Sequence, residues 1–192
     1  ESIMSRILFS GLAASALLAL ASPAVAGDAY TTQIEPRAIY GAAVTIATQN
    51  IDGLHQKAGS KKVLELHGTI RTLSCAQCFK KYESPLFLQP YIENGTIPTC
   101  PSCNGILKPD VILFGEQLPH AAWDEAQREA RQADLMLVAG SSLEVLPVAG
   151  LPMQVLDRGA HLIIINNTPT YINVRADLVF TDNVETILPE II

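Results

Sequence analysis

Two apolar runs without polar interruption, residues 134–139 (DLMLVA) and 161–165 (HLIII), stand out along the chain. Such runs predict strands buried on both faces, as in parallel sheets. Residues 44–47 (VTIA) form a shorter β-branched run ending in a polar loop, and residues 177–180 (DLVF) supply another. Residues 111–114 (VILF) form one more, between Pro109 and Gly115. Helical patterns separate these runs: an amphipathic one over 120–133 (HAAWDEAQREARQA), one over 147–158 and one near 84–94. Alternating strand and helix predicts an α/β fold, an open parallel sheet covered by helices. Residues 71–104 break that rhythm, and residues 27–44 show no strong period and look like a junction.

The N-terminus has a different pattern. Arg6 precedes an apolar run over residues 7–21, then Pro23 and the small triplet 24–26 (AVA). That order matches a secretory leader with an A-x-A cleavage site, so residues 1–26 are assigned to a leader-like or foreign segment. An ordinary buried helix is the alternative. The run is short of the roughly 20 residues a spanning helix needs, and no membrane span is expected.

A chain of 192 residues with 48% hydrophobic content can bury one core with a small satellite module. The formal charge of −6 argues against direct nucleic-acid binding. Lys61, Lys62, Arg71, Lys80 and Lys81 are scattered points rather than a stripe.

The four cysteines form two tight pairs, Cys75/Cys78 and Cys100/Cys103, with 21 residues between the pairs. Each C-x2-C turn can present two thiolates to one ion, and two such knuckles complete a tetrahedral sulfur shell for Zn2+. Pro98, Pro101 and Gly105 supply turn formers around the second pair. Buried free thiols or two disulfides are the alternatives. Four protein ligands leave no open coordination position, so this zinc is expected to be structural.

Asn50 and Asp52 follow the end of an apolar strand, where open α/β sheets bind ligands. The same residues also favour an Asx-turn. Gly140, Ser141 and Ser142 follow the run 134–139, where a close backbone approach and two hydroxyls suit phosphate or ribose. A plain strand-to-helix turn would use the same residues. His67 is an imidazole suited to proton transfer near neutral pH. His55, His120 and His161 are expected to be packed or surface residues.

Six segments carry a resemblance to the sirtuins, NAD-dependent protein-lysine deacylases. They are TQNIDGLH (48–55), LHG (66–68), the two cysteine pairs, KPDVILFGE (108–116), AGSSLEVLPVAGLP (139–152) and IIINNTPT (163–170). They occur in the family's order and spacing over residues 45–192. The resemblance implies a truncated Rossmann-like open parallel sheet carrying an inserted zinc-ribbon module at 71–107. It implies NAD and Zn2+ as cofactors and an acylated-lysine protein or peptide as substrate.

Residue by residue, it makes His67 the general base and Asn50 a second catalytic residue. Thr48, Gln49, Asn50, Asp52, Gly140, Ser141, Ser142, Asn166 and Val184 would bind NAD, with Asn167 beside Asn166. Val111, Ile112, Phe114, Gly115 and Glu116 would line the substrate. In the reaction so implied, the acyl-lysine carbonyl oxygen displaces nicotinamide from ribose, and His67 then activates a ribose hydroxyl to take the acyl group. A non-catalytic, zinc-stabilised module binding acyl-peptide or nucleotide is the alternative. NAD and reduced zinc thiolates favour a cytoplasmic location.

The family's opening strand and GAGIS-like loop have no counterpart here, and no G-x-G precedes residue 45. The resemblance therefore implies a sheet without its central strand and a weakened pyrophosphate site. A second expectation lets residues 7–11 stand in as that strand, with 12–20 as the following helix.

Overall fold

The computed structural model describes residues 6–11 and 43–191. Labels follow chain order. Six strands form one parallel sheet: β1 (Arg6–Gly11), β2 (Ala43–Thr48), β3 (Val63–Glu65), β7 (Leu135–Ala139), β8 (His161–Ile165) and β9 (Leu178–Phe180). Their order is β3-β2-β1-β7-β8-β9. A second, antiparallel sheet contains β4 (Gly68–Cys75), β5 (Lys81–Glu83) and β6 (Leu107–Val111) in the order β5-β4-β6. The helices are α1 (Leu54–Lys57), α2 (Pro85–Asn94), α3 (His120–Ala130), α4 (Leu151–Leu156) and α5 (Val184–Ile191). Among the described residues, no helix is long and apolar enough to cross a membrane.

The centre of the large sheet is not empty. β1 pairs along β2 from Arg6 opposite Ala43 to Gly11 opposite Thr48, and along β7 from Ile7 opposite Leu135 to Ser10 opposite Val138. The expected loss of the central strand is thereby corrected, and residues 7–11 do take a strand's place. Periodicity alone does not tell a short apolar strand from a buried helical segment, and the partners of residues 7–11 lie far along the chain. The proposed helix at 12–20, the triplet 24–26 and residues 27–42 of the junction lie outside the described residues.

Alternation along the strands sorts side chains into two layers. Met136 and Val138 of β7, with Leu162 and Ile164 of β8, join Ala126 and Ala130 of α3 and Leu151 and Val155 of α4 in one core. Leu137, Ala139 and Ile165 face the other way, against Val184 and Leu188 of α5. Full burial of each large aliphatic side chain contributes about 1.5–3 kcal/mol, so these two layers hold the sheet. α3 is also tied to the sheet edge by polar contacts. Glu129 accepts from the Thr45 hydroxyl at 3.0 Å and from Lys62 Nζ at 2.8 Å.

Several boundaries differ from expectation. The strand predicted at 111–114 ends at Val111, because the chain turns over 113–116, where the Glu116 N–H donates to the Leu113 carbonyl. The helix predicted over 147–158 is a 3-10 turn at Val148–Gly150 followed by α4. The antiparallel sheet runs past 71–107 at both ends, to Gly68 and Val111. That extension brings the cysteine module into contact with the loops described next.

Candidate functional site

In a parallel sheet all strands point the same way, so the loops after β2, β7 and β8 emerge from one edge. Chain order reverses between the neighbours β1 and β7, which creates the crevice where such sheets bind ligands. The loops carrying Thr48–Asp52, Gly140–Ser142 and Asn166 border it. Gln49 Nε2 reaches Ser141 Oγ at 3.4 Å, joining the first two loops.

The loop after β2 is tightly built. Buried Thr48 accepts the Asn50 N–H at its Oγ1, 3.0 Å away. Asp52 Oδ1 accepts the Leu54 N–H at 2.9 Å, so the Asx-turn anticipated from composition is present and starts α1. The Leu66 N–H donates to the Thr48 carbonyl at 2.9 Å, and the Ile70 N–H to the Ile51 carbonyl at 3.0 Å. These bonds lash the loop to the chain on both sides of His67.

His67 occupies the two-residue turn between β3 and β4. Its own carbonyl accepts the Ile112 N–H at 3.0 Å, which fixes the turn against the 111–116 strip. Gly68 has φ 74°, and a Cβ there would collide with the Asp110 carbonyl oxygen, so only glycine lets β6 approach so closely. Burial holds the His67 pKa below the usual 6.5, while a hydrogen bond with the Gln49 backbone pulls upward. The imidazole is thus neutral at pH 7 and able to accept a proton.

A cavity of about 550 Å³ unites these parts. Gln49, Asn50, Asp52 and His67 line one side, and Val111, Ile112, Phe114, Gly115 and Glu116 another. Val145 and Leu146 close it, from the loop after β7. Both lie within segment 139–152, beyond the residues the resemblance assigns to the site. Their apolar character ahead of Pro147 was the available signal. Glu116 shapes the strip by accepting the Leu113 N–H at 2.8 Å and Lys108 Nζ at 2.5 Å; these bonds, led by the backbone one, hold its pKa low. Phe114 is 98% exposed at the rim.

Other anticipated residues sit elsewhere on the same edge. Ser141 is buried and its Oγ accepts the Leu143 N–H at 3.3 Å, whereas Ser142 is exposed. Asn166 is buried, with Nδ2 donating to the Thr168 carbonyl at 2.8 Å. Val184 begins α5 and packs into the second core layer. His55 is buried in α1, and His161 lies exposed beside Asp177.

The four cysteine sulfurs lie within 4.8 Å of one another, and none is in a disulfide. A tetrahedral zinc with bonds near 2.3 Å needs sulfurs about 3.8 Å apart. Cys75 and Cys103 are 3.4 Å apart and Cys78 and Cys100 3.6 Å, so the set fits zinc. Backbone N–H groups of Gln77 and Cys78 point at Cys75 Sγ, and that of Ser102 at Cys100 Sγ, each at 3.4 Å. Tyr82 supports the site from outside: its hydroxyl, 3.2 Å from Cys100 Sγ, is the chief reason that thiol is held down to about 6.

Comparison with known proteins agrees with this geometry. The sequence profile of the Sir2 family matches residues 30–147. NAD-dependent protein deacetylase 1 of Geobacillus kaustophilus is 48% identical over 139 residues, 72% of this chain and 54% of that protein. The NAD-dependent protein deacetylase of Saccharolobus solfataricus is 47% identical over 147 residues, 77% of this chain and 58% of that one. The chain thus spans somewhat over half the length of the curated relatives it matches. Among solved structures, a Sir2 with p53 peptide and NAD+ superposes with a TM-score of 0.79 at 28% identity, covering 97% of this chain and 91% of that one. Sir2Tm bound to a propionylated peptide gives 0.81 at 28% identity, with the same coverage. A Rossmann-like sheet with a crevice at its reversal point, a four-cysteine module and an imidazole in the cavity between them place this chain in the Sir2 family.

Proposed function

We propose that the chain removes acyl groups from protein lysines at the expense of NAD, with His67 as general base. The observation that carries this reading is the meeting of a neutral imidazole, the Asn50–Asp52 loop and the 111–116 strip in one cavity beside the sheet crevice. NAD fits the crevice chemically: amide, carboxylate and hydroxyl groups of three loops can hydrogen-bond its sugars and carboxamide. When bound, NAD supplies an electrophilic ribose carbon, a nicotinamide leaving group and the hydroxyl that takes the acyl group.

The chain's own residues then divide the work. Asn50 and Asp52 orient the ribose, while Gln49, Ser141, Ser142 and Asn166 hold the rest of the dinucleotide. His67 accepts the proton of the ribose hydroxyl at its imidazole. The strip from Val111 to Glu116 receives the peptide, and Phe114, Val145 and Leu146 flank the acyl-lysine stem. Cys75, Cys78, Cys100 and Cys103 would hold the zinc, which would tie the end of β4 to the loop before β6 and supply structure rather than chemistry. Thiolates that must stay reduced suit a cytoplasmic setting.

The test is direct. Purified chain, NAD and an acetyl-lysine peptide should release nicotinamide in step with free lysine peptide. Binding of peptide or NAD without nicotinamide release would instead favour the non-catalytic module.

A further inference from the structure

Glu65 and Arg71 flank His67 along the chain, Glu65 at the end of β3 and Arg71 within β4. Arg71 Nη2 donates to Glu65 Oε2 at 2.8 Å, and Arg71 Nε donates to Thr69 Oγ1 at 3.2 Å. The stem of the same side chain lies across Gly53. A Cβ at position 53 would come within 2.6 Å of Arg71 Cδ and 2.7 Å of Nε, and Gly53 has φ 73°. One guanidinium therefore touches the strand before His67, the strand after it, and the loop that carries Asn50 and Asp52.

From these contacts we infer that Arg71, held by Glu65, is a positioning residue that fixes the Asn50–Asp52 loop relative to the His67 imidazole. The inference rests on the proposed deacylase reading and adds a residue to it. The two partners differ in exposure: Arg71 has 47% side-chain exposure, where an ion pair contributes little to folding, while Glu65 has 17% and depends on Arg71 for its partner. What the arrangement does supply is geometry, because a planar fork can span two partners where an ammonium reaches one. Glu65 Oε1 is buried without a hydrogen-bond partner, so among the described residues the carboxylate acts through Arg71. The loop is otherwise joined to this stretch by the Leu66 N–H bond to the Thr48 carbonyl, the Ile70 N–H bond to the Ile51 carbonyl and a longer Thr69 hydroxyl contact of 3.5 Å to the Ile51 oxygen, none of which reaches Gly53. His67 in turn bonds the Gln49 backbone at the loop's start, so a shift of the loop displaces base and ribose ligands together.

The zinc-loaded chain is compared as wild type, R71M and R71K. His67 ring signals are followed by NMR from about pH 5 to 8, NAD affinity by calorimetry, and kcat and KM by nicotinamide release. In R71M the His67 midpoint should move, NAD affinity should fall, and kcat/KM should drop on the order of 100-fold, as for a misplacement near 1 Å. Zinc content should stay at wild-type level. R71K keeps the charge but cannot reach Glu65 and cover Gly53 together, so it should recover only part of the loss. If R71M keeps the wild-type His67 midpoint and NAD affinity, the pair is merely structural and the inference is overturned. Should R71M fail to fold, R71K carries the same comparison, and an unchanged midpoint there is equally fatal. A wild type that releases no nicotinamide defeats the deacylase reading, while the His67 midpoint still judges the positioning role.

Discussion

An imidazole two residues past a strand end is ordinary, and what distinguishes His67 is its surroundings. It is flanked by Leu66, which is fully buried, and by a glycine that admits no side chain, and it bonds the Gln49 backbone. Burial lowers its pKa from 6.5, so the base form prevails at neutral pH. Turnover should therefore rise with pH and level off, with the kcat/KM inflection below 6.5. Folding is linked in the same direction. The unfolded chain binds the proton more readily, so this contribution to stability is complete above pH 6.5 and is lost as pH falls through the folded pKa. His55, also buried with a lowered pKa, adds to that window. His67→Ala should abolish deacylation with zinc content and thermal unfolding unchanged. Unchanged turnover in that variant would remove His67 from the mechanism.

Among the elements, burial is one of several signals legible in the sequence. β7 and β8 are continuous apolar runs because both faces meet a core, and the cysteine pairs declare their module by spacing alone. β4 and β5 were missed since their sheet is half-exposed, and three residues such as Lys81–Glu83 hold too short an alternation to detect. α5 carries Pro189 inside only eight residues, which masked a helix that buries Val184 and Leu188. The NAD contact implied for Val184 rests on resemblance alone, whereas its core contact follows from the helix. The cysteine module depends on its metal because its apolar cluster is small: Leu73, Leu107 and the cysteines, with Tyr82 and Phe87 at the edge. Metal analysis should find one zinc per chain. Cys100→Ser should lose it and destabilise β4 to β6, read as amide exchange confined to that sheet. A metal-free chain with an intact module would refute the structural role.

For the molecule as a whole, the decisive element is β1, hydrogen-bonded on both sides. Without it the sheet would fall into a pair, β3 and β2, and a triplet, β7 to β9. A proline at Phe9, opposite both Ile46 and Leu137, deletes a ladder donor from a central strand. Phe9→Pro should lower stability in chemical unfolding by about 1–3 kcal/mol, the cost of leaving a ladder partner unsatisfied. A variant with the wild-type midpoint would mean that the strand is not paired in solution. The pairing of β1 is not legible in the local pattern, because its partners lie far along the chain and leave no local trace.

That separation has a consequence for biosynthesis. The strand at residue 7 finds β2 once residue 48 has been made, but its other neighbour is not complete until residue 139. At about 5–20 residues per second, the ribosome takes several to about twenty seconds to deliver β7 after β2. Throughout that interval an apolar strand has one open edge, the kind of surface that recruits other chains. Closing the sheet is a long-range step with high contact order, slow by topology rather than by any weak contact. Recovery of native protein should therefore fall steeply with chain concentration during refolding, and molecules that have closed around β1 should stay folded.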